Sequence, residues 1–180
     1  MEARRHRYTT EQLRAIKSPI RSDILTTLLA HRRGTIKELA EWTGRELTSL
    51  YPHVRALVEV GLLTVELRDG KRRREQVFEP IASWFDRSLP DPDPEFRKAF
   101  IDSVASSMRN VEAKVRISAE ANRSEGLFVS TMNVFLEPED LEQFIKTLEE
   151  VASAGRKKNS PGKGMRVSLV IAMAPAETQD

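Results

Sequence analysis

Apolar residues recur at helical spacing through the first third of the chain, in stretches separated by glycines. The first stretch, KSPIRSDILTTLLAHRRG, predicts a helix because Ser18 is a favourable N-cap and Pro19 suits the first helical position. Gly34 predicts its end, since glycine commonly follows the last helical residue. The apolar stripe of this helix consists of Ile20, Ile24, Leu25, Leu28 and Leu29.

Two further helices are predicted directly after it. In TIKELAEWTG, Thr35 and Glu38 have the spacing of a capping box, and Gly44 predicts the helix end. The next segment, TSLYPHVRALVEVGLL, ends at Gly61, and its stripe consists of Leu50, Val54, Leu57 and Val58.

Pro52 restricts where this third helix can begin. A proline in a helix interior costs about 3 kcal/mol. The cost is much smaller in the first turn, because the backbone N–H groups there have no intrahelical partner. We therefore predict a start at Thr48 or Ser49, with Pro52 in or just after the first turn. A kink that re-aims Tyr51 is the alternative.

The hydrophobic period then changes from helix to strand. Leu63, Val65 and Leu67 alternate with polar residues, Asp69-Gly70 is a hairpin turn signal, and EQVFEP supplies the returning strand. Helix, helix, turn, helix and β-hairpin in this order predict a winged helix-turn-helix over residues 1–88.

The remainder, residues 89–180, predicts a second domain. SLPDPDPE is a linker or stiff bend, since its three prolines cannot continue a helix. A long helix to about Ala121, a strand in LFVSTMNVFLE, a helix from Pro138, a loop in GRKKNSPGKG and a strand in MRVSLVIAMA follow. The predicted fold is mainly α with α+β features, in which a small β-α-β unit follows the long helix. A packing seam for dimerisation is expected along Phe96, Phe100, Val104, Met108, Val111 and Val115.

Composition and charge favour an intracellular protein that binds a polyanion. Residues 1–88 carry 17 Lys and Arg against 12 Asp and Glu, a net +5, while the rest carry 12 against 15, a net −3. No apolar run is long enough to span a bilayer and MEARRHRYTT lacks a signal-peptide core, so we expect a cytoplasmic chain without a membrane partner.

The polar residues of the third helix are candidates for DNA contacts. The recognition helix of a helix-turn-helix presents its N-terminal residues to base edges in the major groove. Hydroxyls, imidazole and guanidinium can all bond base edges or phosphates. The alternative is an ordinary solvated face. The candidates are Arg45 at the turn and Thr48, Ser49, Tyr51, His53 and Arg55 on the helix.

The predicted hairpin carries a run of cations where a wing would flank the duplex. Held together, such cations repel one another and gain nothing in the folded protomer, but each can displace condensed counterions from DNA. A solvated charge run is again the alternative. The wing candidates are Arg68, Lys71, Arg72, Arg73 and Arg74.

Together, SPIRSDILTTLL, TIKELAEWTGRELTSLYPHVRALVEVGLL and the basic hairpin resemble the ArsR-type winged-helix transcriptional regulators. The usual "LYYHLRAL"-like run is matched here over residues 50–57, with Pro52 and Val54 departing from it. The resemblance covers about residues 10–80. It implies a homodimeric repressor or regulator that binds an inverted-repeat operator. Metal sensing through cysteines does not carry over, because the chain has no cysteine.

Other functions receive less support from the sequence. His6, His31 and His53 are widely separated, and no phosphate-binding glycine loop or GxSxG motif is present, so we expect no metal, no cofactor and no enzymatic activity. Two alternatives stay open: a winged-helix module that binds a protein, and a ligand-sensing scaffold. Four apolar residues of the second half have two possible uses, lining a pocket or packing a core. They are Phe128, Met132, Phe135 and Phe144.

Overall fold

The computed structural model describes residues 5–69, 74–86, 93–121 and 136–157. The chain divides into two compact units, Met1–Asn110 and Val111–Asp180. The predicted strands over residues 127–137 and 165–174 lie almost entirely outside the described residues. Within those residues, no helix is both long and apolar enough to cross a bilayer.

Four helices form the body of the first unit: α1 (Thr10–Ile16), α2 (Pro19–His31), α3 (Ile36–Thr43) and α4 (Leu47–Glu59). The three helices predicted from the sequence are α2, α3 and α4, and α1 is additional. Their buried faces share one hydrophobic core. Its members include Leu13, Ile16, Ile24, Leu25, Leu28, Leu39, Leu50, Val54 and Leu57.

Local capping signals determine the ends of α3 as predicted. The Thr35 hydroxyl accepts from the Glu38 backbone N–H at 3.2 Å, and the Glu38 carboxylate accepts from the Thr35 N–H at 2.7 Å. Gly44 ends the helix in the left-handed conformation, with φ of 66°. Ser18 is the N-cap of α2 and Pro19 its first residue, although the serine side chain makes no capping hydrogen bond.

Gly34 does not end α2, contrary to the sequence prediction. The helix stops at His31, and Arg32 adopts the positive φ of 72°. Gly34 instead lies in a short strand, β2 (Gly34–Thr35), where a Cβ atom would stand 2.5 Å from Cζ3 of Trp42. Glycine is required here because the indole ring occupies the space of a side chain.

The hairpin lies where the sequence predicted it. Strands β3 (Leu63–Asp69) and β4 (Arg74–Pro80) pair antiparallel, from Leu63 opposite Pro80 to Asp69 opposite Arg74. The unpredicted β2 joins the other edge of β4, giving the order β2-β4-β3. Among the alternating residues of β3 only Leu63 is buried, while Val65 and Leu67 are exposed. This arrangement of helices and hairpin is consistent with a winged helix.

The N-terminal helix α1 is hydrogen-bonded to the end of α4. Gln12 of α1 is buried, and its amide Nε2 donates to the Val60 carbonyl at 3.0 Å. Its Oε1 accepts from the Thr9 N–H at 3.1 Å and lies 2.9 Å from Nε2 of His6. The residues before α1 form β1 (Arg5–Arg7), which pairs in parallel with β5 (Trp84–Asp86).

The long helix α5 (Pro94–Glu120) begins as part of the first unit. Phe96 and Ala99 join its core, and the Ser106 hydroxyl donates to the Lys17 carbonyl at 2.7 Å. Lys17 also bonds Asp102 at 2.8 Å, and this hydrogen bond is the main reason that the pKa of Asp102 is lowered. These contacts explain why the two units divide within α5, whereas the sequence placed the domain boundary at residue 88.

In the second unit, α6 (Pro138–Lys157) starts at the predicted proline. It continues through Gly155 to Lys157, so the first residues of the segment predicted as a basic loop are helical. Its apolar stripe includes Leu141, Ile145 and Val151, all of which are exposed.

Candidate nucleic-acid interface

Helix α4 is anchored by one apolar face and presents the opposite face to solvent. Leu50, Val54 and Leu57 are buried at helical spacing. The helix begins at Leu47, one residue before the predicted range, and Pro52 lies in its second turn, close to its predicted place. Because proline has no N–H, the Thr48 carbonyl receives no hydrogen bond from residue 52.

The end of α4 directs the chain into the hairpin. Gly61 has a φ of 68°, its N–H donates to the Val58 carbonyl, and the Leu62 N–H donates to the Leu57 carbonyl, both at 2.9 Å. These two bonds are those of a Schellman cap, and the buried Leu62 and Leu57 side chains complete it. The hairpin is therefore held at a defined angle beside the helix.

The N-terminal half of α4 exposes hydroxyl and aromatic groups. Thr48 and Ser49 are exposed, and the Tyr51 side chain is 49% exposed. The Ser49 hydroxyl donates to the Glu46 carbonyl at 2.7 Å, which leaves its oxygen lone pairs for an external donor. The predicted base-reading positions thus share an accessible surface.

Arg55 has a partner within the helix. Its Nε donates to the Glu59 carboxylate at 2.9 Å, and both side chains are well exposed. Pairs of this kind contribute only about 0.3–0.5 kcal/mol, so a phosphate can displace Glu59 from Arg55. Arg55 remains a candidate for a phosphate contact, with Glu59 as a competitor.

His53 lies on the flank of α4 near two arginines. It is half-buried, and its pKa is lowered from 6.5 by burial and then by the charges of Arg21 and Arg45. Arg45 belongs to the turn before α4, and its Nε lies 3.9 Å from Oδ2 of Asp23 on α2. Arg21, in the first turn of α2, was not predicted as a site residue, because nothing in the local sequence links it to α4.

An apolar groove separates α4 from the hairpin, on the flank away from His53. It is open and holds about 520 Å³. Its walls are mainly hydrocarbon, so the groove itself offers little to a phosphate. The lining residues are Tyr51, Pro52, Val54, Arg55, Val58, Val65, Gln76 and Phe78.

The hairpin cations are less free than the sequence indicated. Arg74 lies with Nε 3.3 Å from Oδ1 of Asp69, and Arg68 stands opposite Glu75 in the ladder. The expectation that these cations gain nothing within the protomer is therefore wrong for Arg74. Arg68 is exposed, whereas the predicted contacts Lys71, Arg72 and Arg73 lie outside the described residues.

The predicted dimerisation seam on α5 consists of two adjacent faces. Phe96 is buried in the protomer core and Phe100 packs against it, so these two side chains have intramolecular partners. Met108 is 47% exposed and Val104 half-buried, and Ile101, which the seam omitted, is 62% exposed. Val111 and Val115 continue the spacing of this second face and are half-buried. A spacing of three to four residues in the sequence cannot distinguish two neighbouring faces of one helix, so the predicted seam combined them.

Two of the histidines have structural contacts away from α4. His31 stacks on Trp42 with ring centroids 3.6 Å apart, and His6 contacts both Gln12 and the Phe85 ring. Across the described ranges, no three His, Asp or Glu side chains form a group that could hold a metal ion.

Comparison with known proteins finds similarity among the solved structures. No protein-family model matches the chain, and no curated protein matches it. A solved structure, of the transcriptional regulator homologue protein from Pyrococcus horikoshii OT3, is similar at 20% sequence identity with a TM-score of 0.34. The match covers 52% of this chain and 84% of that one. Similarity this weak carries no argument about function, which is therefore inferred from the side chains of the interface.

Proposed function

We propose that the chain binds double-stranded DNA through α4 and the β3–β4 hairpin and acts as a transcriptional regulator. The observation that carries the proposal is the exposed N-terminal half of α4, which presents Thr48, Ser49 and Tyr51, with the exposed Arg45 in the turn before it and the exposed Arg55 one turn further on. A helix that exposes hydroxyls close to arginines suits the major groove, where bases lie between two phosphate backbones.

The two kinds of contact are divided between different residues. Thr48, Ser49 and Tyr51 read base edges, because they are accessible at the end of α4 that enters the groove. The cations bind phosphates and supply the salt-dependent part of the affinity. The phosphate-binding set comprises Arg45, Arg55, Arg68, Lys71, Arg72, Arg73 and Arg74, with His53 beside it.

A homodimer gives this interface its specificity. Two recognition helices about one duplex turn apart read an inverted repeat, whereas a single helix reads only a half-site. The exposed face of α5, with Ile101, Val104 and Met108, is the surface proposed for pairing. The resemblance to ArsR-type regulators supports action as a repressor, and we propose a cytoplasmic chain without enzymatic activity.

The test is selection from random duplex DNA by the intact protein at low and at moderate salt, followed by sequencing of the bound fraction. An enriched inverted repeat is expected, and it yields the half-site spacing directly. Replacing Ser49 or Tyr51 by Ala should then change the preferred sequence. Uniform weakening over all sequences would contradict base reading by these residues, and no binding at either salt would contradict the proposal.

A protein-binding module is the second candidate, and the apolar groove favours it. Tyr51, Val65 and Leu67 expose hydrocarbon beside the groove, as interface residues do. This candidate predicts a partner complex that survives moderate salt and a failure to enrich any duplex sequence. The selection experiment therefore separates the two functions.

A further inference from the structure

We propose that α5 pairs with α5 of a second copy of this chain in antiparallel orientation, with Ile101 of each copy opposite Val111 of the other and Lys98 opposite Glu112. The inference rests on the homodimer of the proposed function. It adds the orientation and the register of the two chains, and it gives two charged residues a role at the interface.

The first step is that α5 uses only one of its faces within the protomer. The side chains buried on that face are Phe96, Ala99, Ser103 and Ser106. A second face, turned away from the core, carries Ile101, which is 62% exposed, and Met108, which is 47% exposed. Large apolar side chains that remain exposed at helical spacing mark a surface for a partner.

The second step is the spacing of this exposed face. Its apolar residues follow one another by alternating steps of three and four, which is the seam of a two-stranded coiled coil. The seam residues are Ile101, Val104, Met108, Val111 and Val115. Arg97 takes the preceding position of the series, so the apolar seam begins at Ile101. A seam of this kind requires a second helix with the same spacing, and a second copy of α5 supplies one.

The third step is the orientation, which follows from the charges beside the seam. In an antiparallel pair centred on Ser106, Ile101 faces Val111 of the other copy and Val104 faces Met108. The positions that flank the seam then bring Lys98 of each copy to Glu112 of the other. Both side chains are exposed in the protomer, and opposite charges in flanking positions determine the orientation of paired helices.

The nearest other arrangements of two α5 helices lack this pair of charges. In a parallel dimer, the flanking positions bring Glu112 to Ser107 and Lys114 to Ala119. An antiparallel dimer shifted by one heptad toward the C-terminus sets Glu112 against Ala105, and a shift of two heptads sets Glu112 against itself. Like charges across an interface disfavour a register, whereas opposite charges select one.

Glu112 already has a partner within its own helix. Its Oε1 accepts from Arg116 at 2.5 Å, and both side chains are more than 60% exposed. Exposed pairs of this kind are weak, and a carboxylate has room for a second donor. Lys98 of the other copy can therefore share Glu112 with Arg116.

Cysteine cross-linking of the full chain tests the register directly, because the chain has no cysteine of its own. The double variant Ile101→Cys with Val111→Cys should form covalent dimers under copper-catalysed oxidation. Neither single variant should do so, because the two copies of one position would lie about 15 Å apart along the helix axis, too far for a disulfide.

The single variants also identify a wrong orientation. A parallel pair brings each position to its own copy, so cross-linking of Ile101→Cys alone would overturn the inference. Failure of the double variant to cross-link would overturn it as well, as would a wild-type chain that stays monomeric in sedimentation equilibrium at every concentration.

Charge reversal is an independent test that does not depend on cross-linking. Lys98→Glu or Glu112→Lys alone should weaken dimerisation by roughly three- to thirtyfold, because two exposed pairs in the dimer become repulsive. The combination of both substitutions should restore the wild-type dimer. Glu120→Lys is the matched control, because it makes the same change of charge at an exposed position of α5 outside the seam, and it should leave dimerisation unchanged. Weakening by either single variant without recovery in the combination would overturn the register.

Both tests are performed without DNA, so they separate this inference from the proposed function. Enrichment of a duplex sequence by a chain that fails the cross-linking test would overturn the antiparallel pairing and leave DNA binding intact. The expected cross-links in a chain that enriches no duplex would support the pairing and contradict the DNA-binding function.

Discussion

The two flanks of α4 acquire their positive charge in different ways. On one flank, Arg21, Arg45 and His53 are far apart in sequence and are brought together only by the packing of α2, α3 and α4. On the other, the hairpin carries its cations as neighbours in the chain, between Arg68 and Arg74. The first set exists only in the folded protein, whereas the second would be nearly as basic in an unfolded peptide.

This difference has a chemical consequence. Groups gathered by folding are partly desolvated and alter one another, as the lowered pKa of His53 shows. Exposed groups on a hairpin find local partners instead, as Arg74 does with Asp69, and their effects are screened by solvent. We therefore expect the α4 flank to respond to pH and to core mutations, and the hairpin to respond mainly to salt.

The largest effect is expected from a mutation in the core beneath α4, because the α4 flank depends on folding and the hairpin cations do not. Leu50 is fully buried, so Leu50→Ala should lower the free energy of unfolding by roughly 2–5 kcal/mol and with it the population of the assembled flank. Val65→Ala on the exposed hairpin is the control, with an expected change within about 0.5 kcal/mol. Urea denaturation measures both, and equal losses would contradict the assignment of the core.

A smaller effect is expected at Gly34. Adding a Cβ atom there would push against the Trp42 ring at 2.5 Å, so Gly34→Ala should cost about 1–3 kcal/mol. Gly155→Ala is the control, because its Cβ would meet nothing within 4 Å, and its expected change lies within about 0.5 kcal/mol. Thermal unfolding should therefore shift for Gly34→Ala and hardly at all for Gly155→Ala.

For the hairpin, removal of charge should act through salt dependence. Arg72→Ala combined with Arg73→Ala should weaken binding to all duplexes and reduce the slope of log affinity against log salt by about 1.8, since each phosphate contact contributes roughly 0.9. A changed sequence preference with an unchanged salt slope would contradict a phosphate role for the wing.

The smallest expected effect concerns the pair on the outer face of α4. Glu59→Gln removes the carboxylate that holds Arg55 at 2.9 Å and should strengthen DNA binding by no more than about threefold, because exposed pairs are weak. Glu112→Gln, which breaks the comparable pair with Arg116 on α5, is the control and should leave affinity unchanged. Weaker binding by Glu59→Gln would show that the pair positions Arg55 for DNA.

The sequence predicted most reliably what short-range chemistry determines. The capping box of Thr35 and Glu38, the left-handed glycines 44 and 61, and the starts of α2 and α6 all follow from residues within one helical turn. Gly34 was misassigned because a glycine that makes room for a distant ring looks the same as one that ends a helix.

What the sequence could not supply was the relation between elements. Arg21 has no local feature that distinguishes it from other surface arginines, so only the packing of α2 beside α4 identifies it. Likewise, Phe96 and Met108 follow one period along α5, yet the first contacts the core and the second is exposed. Only tertiary contacts show which of two neighbouring helix faces packs against the core.

The hydrogen bond from Gln12 to the Val60 carbonyl has a consequence for dissecting the protein. A DNA-binding fragment that began at α2 would discard α1 and the residues before it. Such a fragment would lose the hydrogen bond to the C-cap carbonyl of α4, worth about 0.5–1.5 kcal/mol, together with the buried side chains of Leu13 and Ile16. The shortest stable unit is therefore expected to include α1, and tags or fusions are better placed at the other end of the chain.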